Sequence, residues 1–248
     1  MIYAFSRDGI ACIAAIMTTR PLLAFDIDGT LAPIVDDPGG ARLPADIQQC
    51  LATLARRYDV AIVTGRAVED ARRMFAFEPR YLVGNHGAEG IPRWAERSQA
   101  YVRTVHGWRE ALETCEALDA TGVTIEDKRY SLSLHYRRAP DRGAAHRAIR
   151  ACVERLEPAA TIIDGKAVVN LLPPGAPDKG DAVRALIDET QRPTAFYVGD
   201  DDTDEAVFGL HLPSVVTVRV EPSDDSQATL FLRDQREVLT LLQHIARL

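Results

Sequence analysis

Five carboxylates crowd into the six positions from Asp200 to Glu205 of "YVGDDDTDEAVF" (197–208), directly after an aromatic and β-branched run. Like charges at this density repel, so some of them should face a cation. A second acidic pair, Asp26 and Asp28 in "FDIDGTLAP" (25–33), also ends an apolar run. Spaced two apart, both carboxylates lie on one side of an extended strand exit. Gly29 admits a tight turn whose backbone amides form an anion nest, although D-x-D-G-T by itself also reads as an ordinary turn. "TGR" (64–66) closes another apolar run before a helix. There the Thr64 hydroxyl and the Gly65 amide suit an anionic oxygen, while Thr64 would serve equally as a helix cap. Lys179, in "PDKGDAV" (177–183), opens a further helix. Its ammonium would neutralise a phosphate and a nucleophilic carboxylate, or else sit in solvent as a surface lysine.

These residues need a scaffold that gathers them. "PLLAF" (21–25), "DVAIV" (59–63), "RYLV" (80–83), "TAFYV" (194–198) and "SVVTVRV" (214–220) are apolar without alternation, as strands covered on both faces are. Between them, Ile47, Leu51, Leu54 and Tyr58, and later Val238, Leu241, Leu242 and Ile245, recur at helical spacing. The alternation predicts an α/β fold with a Rossmann-like, doubly wound parallel sheet. In such sheets ligands bind beyond the carboxyl ends of the strands, where the strand order reverses. With the order 3-2-1-4-5 for these five runs, the first and fourth are neighbours at that point, and Asp26, Asp28 and Asp200 converge. An all-oxygen site of three carboxylates selects a hard cation, Mg²⁺.

The rhythm changes from about 90 to 170. A helix (about 98–118), the β-rich "TGVTIED" and "YSLSLHYR", a helix (about 140–157), and the strands "ATIID" and "AVVN" follow one another. Gly165-Lys166 reads as the hairpin turn between the last two. This αββαββ order predicts a small antiparallel domain, 90–170, inserted between the core segments 17–89 and 171–248. "LPPGAP" (172–177) is the linker back, because paired prolines stop strand pairing.

A chain of 248 residues with 46% apolar and 26% charged residues is globular, and its net charge of −7 lacks the basic face of a nucleic-acid binder. "GIACIAAIM" (9–17) is too short to span a bilayer and lacks a cationic start. Met17 directly precedes the first core run, so residues 1–16 read as a start-site extension. Cys12, Cys50, Cys115 and Cys152 form no C-x-x-C pair. They read as buried free thiols of a cytoplasmic protein.

In order, "DIDGT", "TGR", "DKG" and "GDDDTD" resemble the four signature motifs of the haloacid dehalogenase (HAD) superfamily, and the insertion resembles its C2B-type cap. More narrowly, "VGNHGAE" (83–89), "SLHYR" (133–137) and "VGDDDTDEAVF" are similar to trehalose-6-phosphate phosphatases, a resemblance covering about 20–245. It implies a phosphatase of a small sugar phosphate, trehalose 6-phosphate, with neither nucleic-acid nor membrane partners; oligomeric state stays open. Asp26 would be the nucleophile that forms an aspartyl-phosphate. Asp28 would protonate the leaving oxygen and then activate water. Mg²⁺ would be held by Asp26, the Asp28 carbonyl and Asp200, with Asp201 and Asp204 acting behind them through bound water or Lys179. Thr64, Lys179, Gly29, Thr30, Gly65 and Arg66 would hold the phosphoryl oxygens. Asn85, His86, Glu89, Lys128, His135 and Asn170 would meet the sugar, although His135 also fits a strand surface, and Asn85 and His86 a structural turn.

One departure stands out. Where the family shows a glutamate and then a base before proline, this chain has Asn170 and Leu172. Loss of the charge-assisted bonds from that glutamate costs roughly 1–2 kcal/mol. A phosphatase of another sugar or glycoside phosphate, such as glucosylglycerol phosphate, a phosphosugar mutase and a non-catalytic sugar-phosphate sensor therefore remain as alternatives.

Overall fold

In the computed structural model, which describes residues 1–35, 40–119, 121–165 and 167–248, all five of the unalternating runs expected as strands join one parallel sheet. Chain contacts divide the protein into two units, Met1–Ile91 with Pro177–Leu248, and Pro92–Ala176. In the first, the strands are β1 (Ile2–Tyr3), β2 (Leu22–Phe25), β3 (Val60–Val63), β4 (Tyr81–Val83), β9 (Ala195–Gly199), β10 (Val215–Val220) and β11 (Leu230–Leu232). Among the described residues their order is β1-β11-β10-β9-β2-β3-β4. The five runs keep the order 3-2-1-4-5, and β1 and β11 extend the sheet at one edge.

Every residue of β2, β3 and β9 is buried, so each strand needs a cover on both faces. Leu23 and Phe25 point into a cluster with Leu51 and Leu54 of α2 (Ala45–Leu54) and Leu241 and Ile245 of α9 (Glu237–Arg247). The alternate residues face α7 (Lys179–Thr190), which packs on β2 and β3. Fully burying a side chain such as Leu23 or Phe25 contributes about 1.5–3 kcal/mol. Short helices α3 (Val68–Arg72) and α8 (Glu205–Phe208) follow β3 and β9.

Residues 1–16, the expected start-site extension, belong to this unit. β1 pairs in parallel with β11, and α1 (Arg7–Met17) buries Ile13, Ile16 and Met17 in the same cluster. The Tyr3 hydroxyl donates to Glu237 at 2.7 Å, and the Arg233 guanidinium lies 4.3 Å from its ring centre. Among the described residues no helix is long and apolar enough to cross a membrane.

The second unit runs α4 (Ala95–Glu113), α5 (Glu116–Asp119), β5 (Thr124–Asp127), β6 (Leu132–His135), α6 (Arg142–Val153), β7 (Thr161–Gly165) and β8 (Val168–Leu172). Its antiparallel sheet has the order β5-β6-β8-β7. Leu132, Leu134, Val169 and Leu171 pack against Trp108 and Leu112 of α4 and Ile149 and Val153 of α6, so the helices cover one face. Lys166, half of the expected hairpin turn, lies outside the described residues.

Here one expectation fails. Cys115 and Cys152 are not free thiols but a disulfide across 37 residues; Cys12 and Cys50 are free. Spacing along the chain hides the pair, because only the packing of α5 on α6 brings the two Cα atoms to 6.5 Å, within bridging range.

Candidate active site

The ends of β2 and β9 are locked side by side. Phe25 is in register with Val198, and the Asp26 amide donates to the Val198 carbonyl at 2.9 Å. The next residues, Asp26 and Asp200, therefore leave the sheet as neighbours. Lys179, at the start of α7, joins Asp26 to a third acid, Asp204. Its Nζ donates to Asp26 Oδ2 at 2.9 Å and to Asp204 Oδ1 at 2.8 Å, and the residue is only 1% exposed. That removes the surface-lysine reading. The helix start is fixed by a reciprocal capping box between Asp178 and Asp181.

Asp204 is fully buried and organises the acidic loop. Its Oδ1 also accepts from the Tyr197 hydroxyl at 2.5 Å, and its Oδ2 accepts the amides of Asp200 and Asp201, both at 2.9 Å. Gly199 is required beneath it, since a Cβ there would lie 2.3 Å from the Asp204 carboxyl carbon. Burial, reinforced by the Asp204 charge, holds the Tyr197 hydroxyl well above its ordinary pKa, so it stays a neutral donor.

One carboxylate oxygen from each of Asp26, Asp200 and Asp204 falls within a 4.8 Å cluster. Burial drives the Asp26 carboxyl up to about 7 against the opposing pull of Lys179. Burial, with Asp26 and Asp204 adding to it, drives Asp200 to about 8. For Lys179, burial pulls the pKa down, but the carboxylates of Asp204 and Asp26 override it and hold the ammonium charged. Three carboxylates against one ammonium leave a formal charge of −2 when all are ionised, which a divalent cation would balance. The donors are all hard oxygens, so the cluster fits a hard cation. Asp26 and Asp200 are its natural ligands, because each Asp204 oxygen already accepts two hydrogen bonds. Asp26, by contrast, accepts one on each oxygen, from the Ile27 amide at 2.7 Å and from Lys179, and Asp200 accepts one from Thr30.

Several other residues land elsewhere than the sequence implies. Asp28 is gripped by Arg66, whose Nε and a terminal nitrogen donate to its two oxygens at 2.6 Å each. The Gly29 amide donates to the Ala32 carbonyl at 2.8 Å rather than facing an anion. Gly29, at φ +83°, instead makes room for Asp200, whose Oδ2 would lie 2.0 Å from a Cβ at that position. Thr30 donates its hydroxyl to Asp200 Oδ1 at 3.0 Å. Gly29 and Thr30 thus seat Asp200. Asp201 is exposed; it accepts the Asp202 amide and caps the short turn that follows. Glu205 accepts from Arg219 at 2.7 Å and from the Gln227 amide at 3.0 Å, whereas Asp202 is exposed.

Thr64 is buried and its hydroxyl accepts the Arg66 amide at 3.3 Å, so it caps its own turn rather than α3. The Gly84–Glu89 turn braces this loop. The Asn85 amide donates to the Arg66 carbonyl and the His86 amide to the Thr64 carbonyl, at 2.8 and 3.0 Å. Asn85 and His86 both have positive φ, and the His86 ring lies against Gly65. Glu89 does not face outward as a sugar ligand would. Its Oε2 accepts the Val68 amide at 2.9 Å and the Asn85 side-chain amide at 2.8 Å, fixing the turn and the start of α3.

The second unit carries a polar face of its own. On the side of the sheet away from its helices, His135 Nε2 meets Glu126 Oε2 at 2.7 Å, and Lys128 Nζ lies 4.0 Å from the same oxygen. Ser133 donates to Asn170 Oδ1 at 2.6 Å. Leu172 is buried. Glu126 belongs with Lys128 and His135 but went unnoticed in the sequence. The signal in the chain was the alternation of "TIED", which sets Thr124 and Glu126 opposite Ile125; the β5–β6 register then puts Glu126 on this face.

A family model described as trehalose-phosphatase matches residues 24–236. The chain belongs to the trehalose-phosphatase family. Among similar curated proteins, the trehalose-phosphate phosphatase of Mycobacterium marinum is 33% identical over 228 residues, covering 86% of this chain and 57% of that protein. The chain thus spans little more than half the length of that relative. The solved trehalose-6-phosphate phosphatase of Aspergillus fumigatus is 26% identical with a TM-score of 0.66, covering 100% of this chain and 99% of its own. The C-terminal domain of the Candida albicans enzyme, at 23% identity and TM-score 0.72, shares the fold over 100% of this chain and 99% of its own. As in other trehalose-phosphatase family members of known structure, the fold is the HAD-like parallel sheet with an inserted αββαββ cap, as the four motifs implied.

Proposed function

We propose that this chain is a Mg²⁺-dependent phosphohydrolase that removes phosphate from trehalose 6-phosphate to give trehalose. The observation that carries this reading is the buried pairing of Asp26 with Lys179 beside Asp200, at adjacent parallel strand ends, in a chain of the trehalose-phosphatase family.

An Asp26 oxygen attacks phosphorus; the bond from phosphorus to the sugar oxygen breaks, and Asp28 gives that oxygen its proton. Water, deprotonated by Asp28, then attacks the aspartyl-phosphate and releases Asp26. Splitting the displacement in two lowers each barrier, and acid–base help of this kind contributes ~10²–10⁴-fold. Lys179 donates one ammonium hydrogen to the nucleophile and one to Asp204, and leaves the third for a phosphoryl oxygen. Thr64, Gly65 and Arg66 complete the phosphoryl cradle. Asp26, Asp200 and the Asp28 carbonyl would hold Mg²⁺, whose charge offsets repulsion between nucleophile and phosphate. Lys128, His135, Glu126 and Asn170, with Asn85 and His86, would read the sugar hydroxyls. A cytoplasmic setting belongs to the same proposal, although it draws no support from the cysteines once Cys115 and Cys152 are joined.

A second reading, another sugar or glycoside phosphate, is favoured by Asn170, whose acceptor oxygen is already taken by Ser133. Phosphate release from trehalose 6-phosphate, glucose 6-phosphate and glucosylglycerol phosphate, with and without Mg²⁺, separates the two. Trehalose 6-phosphate should lead, and Asp26→Asn should abolish release, because an amide cannot become the acyl phosphate. Preference for another ester would move the assignment to it, and binding of these esters without release would make the chain a sensor.

A further inference from the structure

The proposed reaction asks Asp28 to hand a proton to the leaving oxygen and then take one from water. In this structure both oxygens of Asp28 are engaged by a single cation, which holds the carboxylate turned toward the arginine. Arg66 donates to one from Nε and to the other from a terminal nitrogen, both at 2.6 Å, in a fork-to-fork pair. The Arg66 side chain is 14% exposed and that of Asp28 37% exposed, so the pair sits in a partly desolvated mouth where such bonds hold firmly.

We propose that Arg66 is a phosphate-operated latch. It holds Asp28 in the resting site and transfers to the phosphoryl group of an arriving ester, which releases Asp28 to face the sugar oxygen. This deepens the reading above and rests on its assignment of Asp28. The exchange is favourable in direction, since a phosphate monoester dianion carries twice the charge of a carboxylate and offers the planar guanidinium an equally good two-oxygen fork.

The scaffold confines the movement to the side chain. The Arg66 carbonyl is held by the Asn85 amide at 2.8 Å and its own amide by Thr64 Oγ1 at 3.3 Å. Asn85 is in turn held by Glu89, which also grips the first turn of α3 at the Val68 amide. The backbone under Arg66 is thus fixed from both sides. Asp26, where phosphorus must bind, and Asp28, where the guanidinium rests, are two residues apart. Rotation about the arginine's own bonds links the two positions. The latch couples two events that must coincide, because the acid–base group becomes available only when a phosphoryl group has arrived.

The test compares crystal structures of the wild-type chain with Mg²⁺ alone and with Mg²⁺ plus inorganic phosphate. The latch requires Arg66 on Asp28 in the first and on phosphate in the second, with Asp28 released. Arg66 still forked on Asp28 beside bound phosphate, Arg66 away from Asp28 in the first structure, or failure of phosphate to bind each overturns it. These readouts need no turnover, so they stand apart from the substrate panel that tests the activity. Kinetics of Arg66→Gln supply a second check. Loss of a phosphoryl contact should raise KM for the ester on the order of tenfold or more, the scale of one charge-assisted contact. A fall in kcat with KM unchanged would mean that Arg66 only props Asp28, and the latch would be wrong.

Discussion

Two polar assemblies of this protein settle their charges in opposite ways. Around Asp26, Lys179 and Asp204 the groups are buried and bonded to one another. On the polar face of the second unit, Glu126, Lys128 and His135 are half-buried, with His135 bonded to Glu126 and Lys128 4.0 Å from the same oxygen. Buried ions do little for net stability, because desolvation consumes most of their attraction. A chain that keeps such a cluster gains reactivity from it: groups fixed in advance, dry, and shifted in pKa. A half-solvated face keeps the capacity to exchange water for neutral hydroxyls, which is what sugar recognition needs.

The contrast is tested most severely by removing one cation from each assembly. Lys179→Met leaves Asp26 and Asp204 buried without a counter-charge and should cost about 3–5 kcal/mol in chemical denaturation. Lys128→Met removes a cation 4.0 Å from a Glu126 side chain that is still 42% exposed, so it should cost markedly less. Equal losses would erase the distinction.

Replacing Cys115 and Cys152 together by serine opens a 37-residue loop, worth about 4 kcal/mol by loop entropy. The loss should appear as faster amide exchange in α4 and α6, with exchange around β2 and β9 unchanged. Faster exchange in both units would mean that they do not unfold separately.

The acidic cluster also predicts a pH dependence. Asp26 and Asp200 have folded pKa values of about 7 and 8, above the ordinary 3.8. Between roughly pH 4 and 8 the folded state holds more protons than the unfolded, so their contribution is fully present below the lower value and lost as pH rises through the upper. Mg²⁺ needs the ionised carboxylates, so it should raise the melting temperature more at pH 8 than at pH 5.5. An increment independent of pH would place the cation elsewhere.

The smallest effect is expected on the second unit's face. Asn170→Glu should lower KM for trehalose 6-phosphate by roughly tenfold or less, the worth of one charge-assisted bond, without altering the affinity for inorganic phosphate. An unchanged KM would show that this position does not read the sugar.

Much of this architecture was legible in the chain. Short unalternating, β-branched and aromatic runs such as "DVAIV" and "TAFYV" read as strands covered on both faces, and right-handed crossovers leave few orders for them. The neighbouring exits of Asp26 and Asp200 follow. β1 was not legible, because a two-residue edge strand has no period to detect. Nor were the duties of Gly29 and Thr30 toward Asp200, of Glu89 toward Val68, or of Tyr197 toward Asp204. Each is a contact between groups whose types suit several partners equally well.

Taken alone, then, the order of residues determined which segments are buried, how they alternate, and hence which acids gather at the strand ends. Burial pattern is a property of a short window, and the chain states it locally. Only the tertiary structure decided that Arg66 forks onto Asp28, that Asp204 is saturated while Asp200 is not, and that Cys115 finds Cys152. Those outcomes depend on ångström-scale distances between residues far apart in the chain, which no local pattern encodes.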